Sequence, residues 1–183
     1  TPGPGIGRPE RRIQPTVLRA LLAPDGVTEH RTSRSVVVHS SRGDIAHDAL
    51  LLAPGSYAGI DLTAGDPRTV WSEYDRGALL LSDSLAWRLD LRPGERLSLV
   101  TAAGAREFPI AGIYHEYGSG LGSAMLSLQV YRRLWRDDSI TALGLYLQPR
   151  LDTAGEIPRL LAAAGGRHAL LIRSNADIRD LSL

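Results

Sequence analysis

Cysteine is absent from the 183 residues, and so is lysine. The first absence excludes disulfides, thiolate catalysis and cysteine-ligated metal. It leaves the compartment open, because an extracytoplasmic protein need not carry disulfides. Aromatic residues reach only 5%, which is thin for a stacking platform that binds single-stranded nucleic acid. No apolar run approaches the roughly 20 residues that a membrane-crossing helix needs, and no secretory leader is visible. A formal net charge of +1 gives no bulk field toward nucleic acid or an acidic surface.

What is present is ordinary for a folded globule. Hydrophobic residues make up 43% of the chain, too many for disorder. The length fits one domain or two small interlocked lobes. All 21 basic residues are arginine, which fits coding-sequence base composition better than phosphate binding. They are scattered singly and in pairs, as at Arg11–Arg12 and Arg132–Arg133, with carboxylates between them. That is the pattern of a solvated surface. The chain opens on TPGPGIGRPE without methionine and stops inside a helical pattern at DIRDLSL. It reads as an excised part of something larger, whose flanks could include membrane spans.

Residues 1–14 are expected to form a flexible, Pro- and Gly-rich segment, and 15–183 the folded domain. A short helix follows Pro15, with Val17, Leu18, Leu21 and Leu22 on one face. The β-branched run Val36-Val37-Val38 predicts a buried strand within 27–40, paired as a hairpin with a strand over 45–53. Residues 54–76 read as loop and short helix anchored by Tyr57, Trp71 and Tyr74. The central stretch predicts a strand at 78–81 and a helix at 84–89 capped by Ser82 or Asp83. A hairpin, 96–101 with 106–117, comes next, with Leu97 and Leu99 on one face. A strand at 124–128, a helix at 129–135 and a strand at 141–147 continue the chain. A helix starts at Asp152 or Thr153, or later because of Pro158, and runs through Leu160, Leu161 and Ala164. A strand at 168–173 and a last helix at 176–183 complete the pattern. Hairpins and crossovers both occur, so the fold class is α+β, with a mixed, mostly antiparallel sheet and short helices, possibly two small lobes.

Candidate chemistry is sparse. Gly118, Gly120 and Gly122 are spaced as a glycine-rich loop, but a phosphate cradle opens a helix and here a strand follows. His115 and Glu116 could supply a general base, yet neighbours on a strand face opposite ways and cannot act as a pair. His30, His39, His47 and His168 show no metal-ligand spacing. Ser82, Asp83 and Ser84 lack a nucleophile-elbow context, so capping is their default role. Trp71, Trp87 and Trp135 read as core or interface anchors. No catalytic, cofactor-binding or metal-binding residue is assigned, and no cofactor.

Four pieces of sequence carry a resemblance. Leu-Leu-Leu-Ser-Asp-Ser-Leu-Ala-Trp-Arg-Leu at 79–89 leads into Leu-Arg-Pro-Gly-Glu-Arg-Leu-Ser-Leu at 91–99. Phe-Pro-Ile-Ala-Gly-Ile-Tyr-His-Glu-Tyr-Gly-Ser occupies 108–119, and Ile-Arg-Ser-Asn-Ala-Asp-Ile-Arg-Asp-Leu-Ser-Leu closes the chain at 172–183. In this order they resemble the extracytoplasmic, MacB-like periplasmic core domain of FtsX-like ABC-transporter permeases. Glu95 stands where that family usually has aspartate. The resemblance covers 78–183 well and the first third by position only.

The resemblance implies a non-catalytic domain on the periplasmic face of the cell membrane, held between two spans of a permease. It implies a cytoplasmic ABC ATPase subunit, a second permease copy, and an external partner such as a lipoprotein, peptide or adaptor; it implies no nucleic acid. ATP-driven motion of the spans would be relayed outward, with 176–183 as the strut into the membrane. Two other readings stand beside it: a small hydrolase or transferase whose site assembles only in three dimensions, and a free-standing peptide- or lipid-binding module.

Overall fold

A computed structural model describes residues 12–23, 25–50, 56–117, 122–148 and 151–163. The elements are α1 (Pro15–Leu22), β1 (Val27–Ser40), β2 (Gly43–Leu50), β3 (Leu62–Gly65), α2 (Val70–Arg76), β4 (Leu79–Ser82), α3 (Asp83–Leu89), β5 (Arg96–Thr101), β6 (Gly104–Tyr114), β7 (Ser123–Ser127), α4 (Leu128–Trp135), β8 (Ala142–Leu147) and α5 (Thr153–Ala163). The expected strand at 168–173 and helix at 176–183, the N-terminal segment 1–11, the end of the expected strand 45–53, and residues 54–55 and 118–121 lie outside the described residues.

The 14-residue strand β1 organises the sheet. Its second half pairs antiparallel with β2, from Ser33↔Leu50 to Ser40↔Gly43. Its first half pairs with β8, from Val27↔Leu147 to Ser33↔Ala142. The full order is β2-β7-β4-β6-β5-β1-β8, and the extra β2–β1 pairing closes β1, β2, β7, β4, β6 and β5 into a ring. The seam between β1 and β5 is thin: Ser40↔Leu99, then the Ser41 N–H on the Ser98 carbonyl at 3.0 Å. Only β2–β7 and β4–β6 run parallel among the described pairs. The sheet is therefore mixed and mostly antiparallel, as the sequence predicts.

Hydrophobic pattern explains the layering. The largest core gathers Val38, Ile45, Leu79, Leu81, Phe108 and Leu126 against Leu85 of α3 and Tyr131 of α4. Leu80 and Met125 point the other way, under Val70 and Tyr74 of α2. Both faces of β4 are thus covered, which is why the run Leu79-Leu80-Leu81 is unbroken rather than alternating. A third core joins Val17 and Leu21 of α1 to Leu160 of α5, with Leu143 and Leu145 of β8 beside them.

Two features differ from the sequence expectation, and a third settles an alternative it left open. Val37 is 51% exposed, so Val36-Val37-Val38 is a one-sided strand and not a buried run. β3 lies where the sequence predicts loop: four residues give no periodicity to detect, and only its pairing with β6 from Leu62↔Tyr114 to Gly65↔Gly112 defines it. α5 begins at Thr153 despite Pro158, because Asp152 caps it by accepting the Gly155 N–H on its carboxylate and the Glu156 N–H on its carbonyl, each at 3.1 Å. In that helix Leu160 is buried, but Leu161 faces out.

Where β1 leaves β8 for β2, Arg34 turns inward. It is 1% exposed, and its Nε donates to Asp137 Oδ2 at 3.0 Å. The Tyr131 hydroxyl donates to the same oxygen at 3.1 Å. Ser139 holds the other carboxylate oxygen through its backbone N–H at 3.0 Å and its hydroxyl at 2.5 Å. Burial alone would raise the Asp137 pKa; the Ser139 and Arg34 donors override it and hold the carboxyl well below the usual carboxylate range.

Candidate interaction surface

The start of α3 is fixed by one hydroxyl. Ser82 is the N-cap, and its Oγ accepts the Leu85 N–H at 3.3 Å and the Ser123 N–H at 2.9 Å. Tyr114 and Glu116 alternate onto the same side and meet Ser123: the Tyr114 hydroxyl lies 2.6 Å from Ser123 Oγ, which donates to Glu116 Oε1 at 2.9 Å. Burial pushes the Tyr114 hydroxyl's affinity for its proton up, so it is a donor here. Gly122, at φ +69, passes so close that a Cβ would sit 2.5 Å from the Leu85 nitrogen. The last glycine of the Gly118–Gly122 pattern thus serves backbone approach to α3.

A Ser82→Ala substitution removes the cap and also strands the buried Ser123 N–H. Loss of the cap costs about 1 kcal/mol, and the orphaned donor adds about 1–2. Urea unfolding should lose about 2–3 kcal/mol in all; Ser82→Thr should recover most of it.

His115 turns the opposite way from Glu116. Its Nδ1 lies 2.5 Å from Asp83 Oδ2, and its ring meets Tyr117 edge-on with centroids 4.5 Å apart. The bond from His115 holds the Asp83 carboxyl below its ordinary range. Among the described residues no hydroxyl hydrogen-bonds His115.

Asp83 opens a surface that continues along α3. Asp83, Trp87 and Asp90 are spaced i, i+4, i+7 and fall on one stripe. Trp87 is 86% exposed and Tyr117 80%, so of the two roles read for Trp87, core anchor is excluded. An open groove of about 640 Å³ runs beside the stripe, lined also by buried Ala86 and Leu91 and by Thr63, Ile113 and Arg92. Asp90 ends the helix in the left-handed region at φ 48, and its backbone N–H closes on Ala86 and Trp87 carbonyls. Arg42 of the β1–β2 turn donates to the Leu89 carbonyl, tying the helix end to the ring.

The remaining candidates disperse. His39 bonds Asp44 in the hairpin turn. His47 is fully buried. Trp71 stacks on Tyr57 at 4.3 Å between centroids, and Trp135 on Tyr131 at 5.0 Å. Among the described residues no group of three or more His, Asp or Glu could hold a metal ion, and no helix is long and apolar enough to cross a membrane.

No family model matches the chain. Over 121 residues, 65% of the chain, it is 29% identical to an uncharacterized ABC transporter permease protein of Mycobacterium tuberculosis; the match spans 14% of that protein's length. Two solved structures share the architecture. One is the extracellular domain of the noncanonic ABC-type transporter YknZ from Gram-positive bacteria, with TM-score 0.57 and 13% identity over 84% of this chain and 81% of that one. The other is the periplasmic region of MacB from Actinobacillus actinomycetemcomitans, with TM-score 0.55 and 12% identity over 90% of this chain and 80% of that one. The chain has the fold of these external permease domains, as the four sequence pieces imply.

Proposed function

We propose that this chain is a non-catalytic extracytoplasmic domain of an ABC-transporter permease, and that it relays the ATP-driven motion of membrane spans to an external partner. The observation that carries the reading is the sequence match to a permease on a chain with the fold of the YknZ and MacB external domains. The architecture suits a relay. A single strand, β1, runs through both the ring and the β8 extension, so force applied to one reaches the other without crossing a loop. The cytoplasmic ATPase subunit and a second permease copy belong to the same proposal.

This chain contributes no cysteine of its own, so labelling at an introduced one is read against the parent permease without it. A single cysteine replacing Val100, 46% exposed on β5, is introduced into the full-length parent permease. A membrane-impermeant maleimide should label it on intact cells. Labelling that needs permeabilised cells would refute the placement. Relay is tested separately with spin labels at Val100 and Tyr146: their distance distribution should differ between nucleotide-free and ATP-bound complexes, and an unchanged distribution counts against transmission through this domain.

A further inference from the structure

We propose that the groove along α3 captures a cationic side chain, an arginine or lysine from a basic segment of a partner protein, stacked on Trp87 between Asp83 and Asp90. Indole is the strongest cation–π acceptor among side chains, provided its face is open. Trp87 presents its ring to solvent at 86% exposure on a helix whose opposite side, Leu85, is fully buried. The helix is therefore fixed, and the ring stands on a rigid base rather than on a loop.

Charge selects the occupant. Asp83 and Asp90 line the groove on either side of Trp87 along the stripe. Among the described residues Asp90 makes no side-chain hydrogen bond, whereas Asp83 is steadied by His115 at 2.5 Å and by the Ser84 N–H at 2.8 Å. Asp83 thus offers a fixed carboxylate and Asp90 a free one. An anionic lipid headgroup would meet both, and an apolar tail would strip water from both without compensation. The groove is open rather than enclosing, which suits a side chain carried on a larger surface better than a small molecule that must be surrounded. Arg92 also lines the groove and opposes any cation there, so the two carboxylates and the indole face must outweigh it. Exposed tryptophan is also the residue type that most often anchors protein interfaces.

The proposal deepens the relay reading by stating what the external partner presents; it rests on that reading for the partner's setting but not for binding. The test uses this chain and a synthetic nonapeptide, acetylated and amidated, with arginine at alternate positions and glycine between. Titration is followed at the Trp87 indole N–H resonance, assigned by its loss in Trp87→Phe. The arginine peptide should shift that resonance saturably, and the shift should weaken at least tenfold when arginine is replaced by glutamine. Asp90→Asn should weaken binding several-fold, with the Trp71 and Trp135 indole resonances unmoved as a folding control. A Trp87 resonance indifferent to the arginine peptide overturns the proposal. So does an equal response to glutamine or glutamate peptides, or full affinity in Asp90→Asn. None of these results bears on where the domain sits, and failed surface labelling would leave the binding result standing.

Discussion

Arg34→Met should cost the fold about 3–5 kcal/mol, the range for removing one member of a buried ion pair. The loss arises less from the attraction removed than from the charge left behind. Asp137 would keep its negative charge with only Ser139 and Tyr131 as donors. Asp137 is 20% exposed whereas Arg34 is 1% exposed, so water can still reach the carboxylate and the low end of the range is favoured for this variant. Asp137→Ala is worse placed, because the guanidinium it deprives of the Asp137 carboxylate is fully buried. Against a typical stability of about 5–15 kcal/mol, either change leaves a marginal domain. Urea unfolding with an unchanged denaturant slope is the measurement. The double variant Arg34→Met with Asp137→Asn should regain much of the loss, since no unpaired charge remains. A cost under about 1 kcal/mol for Arg34→Met would show that the pair is not what holds the junction of β1 with the loop after α4.

That junction shows what could and could not be read from the chain. β1 was legible as a strand over 27–40, and its hairpin partner too, because β-branched residues and a Ser-Arg-Gly-Asp turn mark them locally. The division of β1 between two partners was not, since nothing in its residues records that Ser33 faces both Leu50 and Ala142. Arg34 looked like one more scattered surface arginine; its burial depends on Asp137, 103 positions away. Ser82 was readable as a cap, because capping is local, but its second duty toward Ser123 spans 41 positions. Trp87 is the converse case. Its sequence context left core and interface equally open, and only the orientation of α3 over Leu85 turns the indole outward. The α3 groove itself is assembled from β3, α3 and β6, and β3 carried no periodic signal at all. The pieces at 79–99 and 108–117 were legible because the Ser82 cap and the Tyr114-His115-Glu116 alternation are local devices.

His47 gives the second large effect, and it is one of pH. The ring is fully buried on β2, 5.6 Å from the Trp135 ring and 5.8 Å from that of Tyr131. Neither ring nitrogen has a hydrogen-bond partner among the described residues. Burial pushes its pKa down from 6.5 to about 4. The unfolded chain therefore binds a proton near pH 6.5 that the folded chain refuses until about pH 4. Between those values the unfolded state holds more protons, so stability falls as the pH is lowered, and the full loss, about 3 kcal/mol, is reached below pH 4. The neighbouring Asp48 works in the opposite sense, since burial raises its pKa and the folded state takes up its proton first. The difference between wild type and His47→Leu isolates the histidine from it. At pH 7.5 the variant should be at least as stable as wild type, because two buried nitrogens without partners disappear and an apolar side chain of similar size replaces them. Its advantage should then widen by about 3 kcal/mol as the pH falls from 7 to 4, read from chemical unfolding at each pH. Parallel curves for the two proteins would mean that His47 is protonated or hydrogen-bonded in the folded state, and the aromatic stack of Tyr131 and Trp135 would then have to be packed around a polar contact rather than against a neutral ring.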